Sequence, residues 1–138
     1  MKNGKQITNP VHELDLRNTR LRDNMVTFFK ERPGLAYSEN EIKQMLESPN
    51  DRTTIYRTIK TLLKKVFIHK IVCENGVLKY ALNDSKSDFD HAHFQCNQCE
   101  KVICLKETRV QNPKLPEPFE AEACYFLIRG NCRKCPDR

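Results

Sequence analysis

Two pairs of cysteines constrain this chain more than any other feature of its sequence. The first pair is Cys96 and Cys99 and the second is Cys132 and Cys135, each with the two-residue gap of a metal-binding knuckle. Four thiolates form the ligand set of a closed tetrahedral zinc site. Because a closed site has no open position for a substrate, the pattern predicts a structural zinc ion. Two disulfides, or a redox pair, are the alternative use of the same residues.

Length and composition indicate how many domains the chain can form and in which cellular compartment it is expected. The chain has 138 residues, which is enough for one ordinary domain or two small ones. No apolar run is long enough for a transmembrane helix, and no apolar segment near the start is typical of a signal peptide. We therefore expect a cytoplasmic protein without membrane contact, whose seven cysteines are reduced or bound to metal.

Hydrophobic periodicity predicts three helices in the first half of the chain. Apolar residues recur at helical spacing over residues 16–31 and 52–65. Ser38 with Glu41 forms a capping box ahead of a shorter helix, and Asp51 is the expected cap of the third helix. Two β-prone runs then flank Asn75 and Gly76, a pair typical of a hairpin turn. Three helices followed by a hairpin is the order of a winged helix-turn-helix.

The composition changes in the middle of the chain. We assign residues 1–83 to a winged-helix DNA-binding domain and residues 84–138 to a smaller zinc-stapled domain, with a polar hinge over 83–90. The net charge of +6 lies entirely in the first of these segments. A basic domain of this kind is expected to attract phosphates, although a solvated surface would have the same composition.

The polar face of the third predicted helix is the candidate DNA contact. In helix-turn-helix proteins the corresponding helix meets base edges in the major groove. Arg57 can donate two hydrogen bonds to guanine, Tyr56 can contact a thymine methyl group or a phosphate, and lysines can hold phosphates. An ordinary solvated helix face is the alternative. The candidate DNA-binding residues are Thr53, Tyr56, Arg57, Lys60, Lys64 and, from the first helix, Arg20 and Arg22.

These motifs together resemble the ferric uptake regulator family. The resemblance rests on residues 51–63, on the His-Ala-His-Phe-Gln-Cys segment of residues 91–96 and on the two cysteine knuckles, in that order. It implies an α+β fold, with an N-terminal winged helix and a small C-terminal α/β dimerisation domain. It also implies a homodimeric, metal-sensing transcription repressor that binds a palindromic double-stranded DNA operator. The four cysteines would hold the structural zinc.

The sensing site departs from the family pattern. His91 and His93 match, but Cys104 stands where a carboxylate is usual. The family's histidine before the second helix and its acidic residue at the end of the wing are replaced by small or apolar residues, and its later histidine and two of its glycines are also changed. The departing positions are Ala36, Tyr37, Ala81, Leu82, Cys124, Val66 and Glu100, the last two standing at the glycines.

Four residues remain as candidate ligands of a second, regulatory ion. Two histidines two residues apart on an extended segment share a face, so His91 and His93 can reach one ion together with Cys104. His69 resembles a ligand position in the zinc-sensing branch and is the candidate fourth ligand. Thiolate and imidazole suit Zn²⁺ better than Fe²⁺, which is the alternative regulatory ion.

Other functions use the same residues differently. A regulator of the same family with a degenerate sensory site would bind DNA without metal. A catalytic zinc at His91, His93 and Cys104 would make an enzyme, but no acid or base motif follows, so we expect no enzyme and no small organic substrate. A thiol redox sensor could be built from Cys73, Cys104 or Cys124. For the regulator, we expect the ion to favour one arrangement of the two recognition helices in the dimer.

Overall fold

The computed structural model describes residues 10–83, 91–111, 113–133 and 135, with side chains from residue 19 onward. Three helices precede most of the strands, as predicted. None of the described helices is long and apolar enough to cross a membrane. The elements are α1 (Pro10–Lys30), β1 (Leu35–Tyr37), α2 (Glu39–Leu46), α3 (Arg52–Lys64), β2 (Ile68–Val72), β3 (Leu78–Leu82), β4 (His91–Cys96), β5 (Val102–Arg109) and β6 (Leu127–Gly130).

Helix α1 begins earlier than the periodicity predicted. It starts at Pro10 rather than at residue 16, and proline suits the first turn of a helix because the N–H it lacks would have no partner there. Residues 10–15, ahead of the predicted helix, are therefore helical as well, and residues 1–9 lie outside the described part. The predicted hinge lies outside it as well, apart from Asn83.

Helices α2 and α3 begin at the capping residues that the sequence indicated. The Glu41 N–H donates to Ser38 Oγ at 3.2 Å, and the Ser38 N–H donates to Glu41 Oε1 at 2.8 Å, which completes the capping box. Asp51 accepts from the Thr54 N–H at 2.9 Å. This hydrogen bond holds the pKa of Asp51 below its usual value and fixes the start of α3.

Strand β1 was not predicted, and it organises the sheet. It has three residues and pairs on one side with β3 and on the other with β5. All six strands therefore form one sheet in the order β2-β3-β1-β5-β4-β6. Strands from both sides of the predicted boundary at residue 83 are thus joined by backbone hydrogen bonds. The division into two domains stays a prediction.

Each face of this sheet has its own hydrophobic core. The helices α1, α2 and α3 pack on one face through residues such as Met25, Phe29 and Ile59, which are fully buried. The other face carries a smaller core of mostly small residues. Its buried members are Ala36, Ile71, Cys73, Ala81 and Val102.

The expected helical part of the C-terminal segment is wrong for the residues described. Residues 91–111 and 113–133 contain three strands and irregular segments but no helix. Pro113, Pro116 and Pro118 explain this, because each proline removes a backbone donor and together they interrupt any helix between β5 and β6. The overall α+β class is unaffected, since α1, α2 and α3 supply its helices.

Val66 and Glu100, the two non-glycine residues at family glycine positions, both take left-handed backbone conformations. Val66 has φ 59° and Glu100 has φ 64°. Glycine adopts this region without steric cost, whereas a β-branched valine rarely does. Residues other than glycine therefore hold left-handed backbone at both positions where the family has glycine.

Candidate functional site

The four candidate regulatory ligands lie together. His69 comes from β2, Cys104 from β5, and His91 and His93 from β4, and their ligand atoms all lie within 4.8 Å of one another. His69 Nε2 is 3.1 Å from His93 Nε2 and 3.7 Å from Cys104 Sγ. The cluster therefore joins the β2–β3 hairpin, which follows α3, to two strands of the C-terminal segment.

The register of the sheet explains the convergence. Cys104 is directly opposite His93 in the β4–β5 pair, so their side chains share a face. The rings of His91 and His93 lie on that face with centroids 4.7 Å apart, although the pairing of β4 with β5 shifts register between His91 and Ala92. His69 reaches the same place from three strands away, which requires a sheet that curls strongly toward this face.

Burial keeps the imidazole of His93 neutral. His91 and His93 are both buried. Burial, reinforced by the neighbouring His69 and His91, lowers the pKa of His93 to about 3. A neutral imidazole has a free nitrogen lone pair, which is the form that binds a metal ion.

The residues fit a metal ion. Within the described part of the chain, His91 Nε2 is buried without a hydrogen-bond partner. A buried polar atom in that state carries a desolvation cost that a bound ion would remove. Three imidazoles and one thiol are also a complete set of four ligands for a soft or borderline divalent ion.

The second cluster contains Cys96, Cys99, Cys132 and Cys135 and is suited to a structural zinc ion. Their sulfur atoms lie within 4.8 Å of one another, with separations of 3.4 Å for Cys96–Cys135, 3.7 Å for Cys99–Cys132 and 3.3 Å for Cys132–Cys135. Tetrahedral coordination at a Zn–S distance of about 2.3 Å places sulfurs about 3.8 Å apart. All four are free thiols rather than disulfides.

Backbone N–H groups donate hydrogen bonds to Cys96 and so stabilise its thiolate form. The N–H groups of Cys132, Gln98 and Cys99 donate to Cys96 Sγ at 3.4, 3.3 and 3.5 Å. These bonds, chiefly that from Cys132, lower the pKa of Cys96 to about 5. Hydrogen bonding with the crowded Cys132 and Cys96 sulfurs raises the pKa of Cys135 to about 12. A divalent cation would relieve this crowding by replacing the retained protons.

The candidate DNA-binding residues of α3 lie on its exposed side. Thr53, Tyr56, Arg57, Lys60 and Lys64 are all exposed, whereas Ile55, Ile59 and Leu62 are buried on the opposite face. The Lys60 ammonium lies 5.5 Å from the centroid of the Tyr56 ring. On α1, Arg20 is exposed, and the Arg22 guanidinium donates to Thr19 Oγ1 at 3.4 Å.

The three cysteines considered for a thiol redox sensor lie in different parts of the fold. Cys104 belongs to the histidine cluster, whereas Cys73 is buried in the smaller core and Cys124 is half-buried. Burial raises the pKa of Cys73, which makes its thiol a poor nucleophile. Sequence reasoning assigned no role to Lys79, a buried lysine between the two parts of the chain, because a single lysine in a strand has no distinctive pattern.

Two thiol-containing clusters beside an exposed basic helix are the features of a metal-responsive DNA-binding regulator. The model of the Ferric uptake regulator family matches residues 13–120, and the chain belongs to that family. Members of the family are transcription regulators, not enzymes. A search of curated proteins gave no significant match.

Comparison with solved structures shows the same fold at low sequence identity. The Campylobacter jejuni peroxide stress regulator is 17% identical, with 91% of this chain and 96% of that chain covered and a TM-score of 0.58. A zinc uptake regulator complexed with zinc and DNA is 18% identical, with coverage of 91% and 95% and a TM-score of 0.57. The ferric uptake regulator from Francisella tularensis with iron is 14% identical, with coverage of 83% and 89% and a TM-score of 0.57.

Proposed function

We propose that this protein is a metal-dependent transcription repressor that binds a palindromic double-stranded DNA operator as a homodimer. Residues 10–83 act as a winged helix-turn-helix, in which β2 and β3 form the wing. The four-cysteine cluster holds structural zinc, and the cluster of His69, His91, His93 and Cys104 holds the regulatory ion. The observation that carries the proposal is the 3.1 Å approach of His69, from the wing, to His93, from the C-terminal strands.

Zinc is the regulatory ion that these ligands favour. The described residues of the cluster include no carboxylate, and carboxylates are what Fe²⁺ and Mn²⁺ sites usually need. Imidazole nitrogens and a thiolate bind zinc well, in four-coordinate geometry. Because the resemblance led us to expect an acidic residue where Cys104 stands, this one position moves the preference away from iron.

DNA contact is assigned to the exposed face of α3. Arg57 would donate to a guanine edge, and Tyr56 would contact a base or a phosphate. Lys60 and Lys64, with Arg20 and Arg22 from α1, would bind phosphates and give the affinity its salt dependence.

The regulatory cluster can affect α3 because short connections join the two. Only three residues separate the end of α3 at Lys64 from the start of β2 at Ile68, and His69 is the second residue of that strand. On the other side, the Cys104 N–H donates to the Gly34 carbonyl at 2.8 Å, immediately before β1 and α2. A bound ion would be coordinated by His69 and, at the same time, by side chains of β4 and β5. Ligands from both parts of the chain would then favour one arrangement of the helices.

Metal titration tests this proposal. A duplex selected by the zinc-loaded protein from a random pool serves as the probe, and fluorescence anisotropy measures its affinity with and without chelator. We expect tight binding only with zinc, a second zinc per chain that mild chelation removes, and a dimer by light scattering. Equal affinity after removal of the labile ion would refute the sensor and support the metal-independent regulator. A monomer indifferent to duplexes at low salt would refute the whole proposal.

A further inference from the structure

Lys79 is a buried cation at the junction of three parts of the fold. Its side chain lies on β3 and the residue is 7% exposed. The ammonium forms an ion pair with Glu41 of α2, at 3.2 Å from Oε1 and 3.4 Å from Oε2. It also donates to the backbone carbonyl of Glu100 at 3.3 Å. A buried ammonium needs such acceptors, because burial of an unpaired charge is strongly unfavourable.

Each acceptor belongs to a different functional element. Glu41 is the residue that completes the capping box of α2, since its Oε1 also accepts from the Ser38 N–H. Glu100 directly follows Cys99 in the zinc knuckle, and its N–H donates to the Cys96 carbonyl at 3.0 Å. Glu100 also has the left-handed φ of 64°, so its carbonyl direction depends on the knuckle keeping its turn. One side chain therefore bridges the start of α2 and the four-cysteine loop.

We propose that Lys79 is a positioning residue that couples zinc binding at the four-cysteine cluster to the helix that precedes α3. The inference rests on the assignment of zinc to that cluster. When the knuckle is folded around zinc, the Glu100 carbonyl and the Glu41 carboxylate hold the Lys79 ammonium together. When the knuckle opens, Lys79 loses one acceptor and Glu41 loses a fixed partner, so the start of α2 becomes less ordered. By reciprocity, order at α2 strengthens zinc binding at the cysteines, and we take the loss of that affinity to be expressed as faster dissociation.

The rate of zinc release tests the coupling. Zinc-loaded protein is first treated with a mild chelator that removes the labile ion, and release from the cysteines to an excess of a chromogenic chelator is then followed by absorbance. Lys79→Met keeps the apolar stem and removes the charge. We expect about fivefold faster release or more, the lower end of ordinary coupling between sites. Lys70→Met, which alters an exposed lysine on the same hairpin, is the matched control and should release zinc at the wild-type rate.

Two further variants separate coupling from simple destabilisation. Glu41→Gln keeps an acceptor for the capping box but removes the charge, and we expect it to speed release as Lys79→Met does. Combining it with Lys79→Met should add nothing, because Lys79→Met already removes the ion pair that Glu41→Gln weakens. Ser38→Ala weakens the α2 cap but keeps the Lys79 ion pair, and we expect a smaller increase in zinc release than Glu41→Gln gives. Hydrogen exchange of the Glu41 and Ile42 amides should be faster in Lys79→Met while zinc remains bound.

The outcomes are distinct. Equal zinc release by Lys79→Met and Lys70→Met would overturn the coupling, as would an effect of Ser38→Ala as large as that of Glu41→Gln, because helix stability alone would then explain it. A wild-type protein that holds no zinc at the cysteines would overturn the zinc assignment itself. That result is recognised by elemental analysis before any variant is measured.

Discussion

Val66 offers a direct test of the backbone strain that this sequence carries. It lies just beyond α3, where the Val66 N–H donates to the Leu63 carbonyl at 2.9 Å and the Phe67 N–H to the Leu62 carbonyl at 3.0 Å. These two bonds are the pattern of a Schellman helix end, in which the left-handed residue is usually glycine. Val66 has φ 59° there, so Val66→Gly should remove strain without disturbing either bond.

The expected gain follows from three contributions. A residue forced into a sparsely populated backbone region costs about 1–3 kcal/mol, and a β-branched side chain belongs toward the upper end. Greater flexibility of glycine in the unfolded chain offsets about 0.5–1 kcal/mol. Valine here is 65% exposed, so about a third of its full burial energy is lost, roughly another 0.5–1 kcal/mol. The balance is a stabilisation of about 1 kcal/mol.

Urea denaturation of zinc-loaded protein measures this balance. We expect a higher midpoint with an unchanged slope, and a melting temperature raised by about 2–5 °C. Val77→Gly is the matched control, because Val77 is 45% exposed but has an ordinary φ of −69°. It should lower stability. Should Val66→Gly destabilise the protein as much as Val77→Gly does, the residue is not held in the strained conformation and the reasoning fails.

Three further predictions concern the two clusters and α3. Cys104→Ala should weaken regulatory zinc binding by tenfold or more, since loss of even indirect partners of a metal ligand costs about 10–100-fold. Cys96→Ser should instead lose the structural zinc and unfold the C-terminal strands. Calorimetry measures the first effect and circular dichroism the second, and an unchanged zinc affinity in Cys104→Ala would show that Cys104 is not a ligand. Arg57→Lys should reduce discrimination at one guanine by about 1–3 kcal/mol in competition binding, because lysine cannot donate as a planar fork; uniform weakening across all sequences would instead indicate a phosphate contact. The pKa of His93 is about 3 in the folded metal-free protein, below the ordinary value of 6.5. Between these two pH values the unfolded chain binds more protons than the folded one. The free energy of unfolding should therefore fall as the pH drops from 6.5 toward 3. His93→Gln should lessen this dependence, and an unchanged pH profile would show that the imidazole titrates normally.

The sequence predicted the local features of the fold well because local rules control them. The capping residues Ser38 and Asp51 mark the starts of α2 and α3, and the Asn75-Gly76 turn lies between β2 and β3 as expected. Strand β1 was missed because three residues are too short to show a period. Its pairing with β5 depends on contacts distant in sequence. The absence of a described helix after β5 could have been anticipated from the prolines alone, had the resemblance not implied an α/β segment.

The candidate ligands were predictable as residue types, but their convergence was not. Cysteine spacing alone predicts the four-cysteine cluster, because each knuckle already brings two thiols together and only the two knuckles have to lie side by side. His69 joined the second cluster through a resemblance rather than through any local pattern. Its 3.1 Å approach to His93 depends on the curl of a sheet whose order includes the unpredicted β1.

Two alanines near the lost ligand positions, Ala36 and Ala81, help to explain how the candidate site is built. His69 lies opposite Ala81, Ala81 opposite Ala36, and Ala36 opposite Val102, so these residues form one row on the same face of four strands. In a flat sheet, the outer two strands of this row would be about 14 Å apart. Yet His69 Nε2 and Cys104 Sγ, two residues beyond Val102, are separated by only 3.7 Å.

Small residues in the middle of the row make that approach feasible. Ala36 and Ala81 are buried and have side chains of one methyl group, so the histidine and cysteine can meet above them as the sheet curls. A larger side chain at position 36 or 81 would fill this space. His69, His91, His93 and Cys104, whose ligand atoms lie within 4.8 Å of one another, are the four ligands that we propose in place of the family pattern.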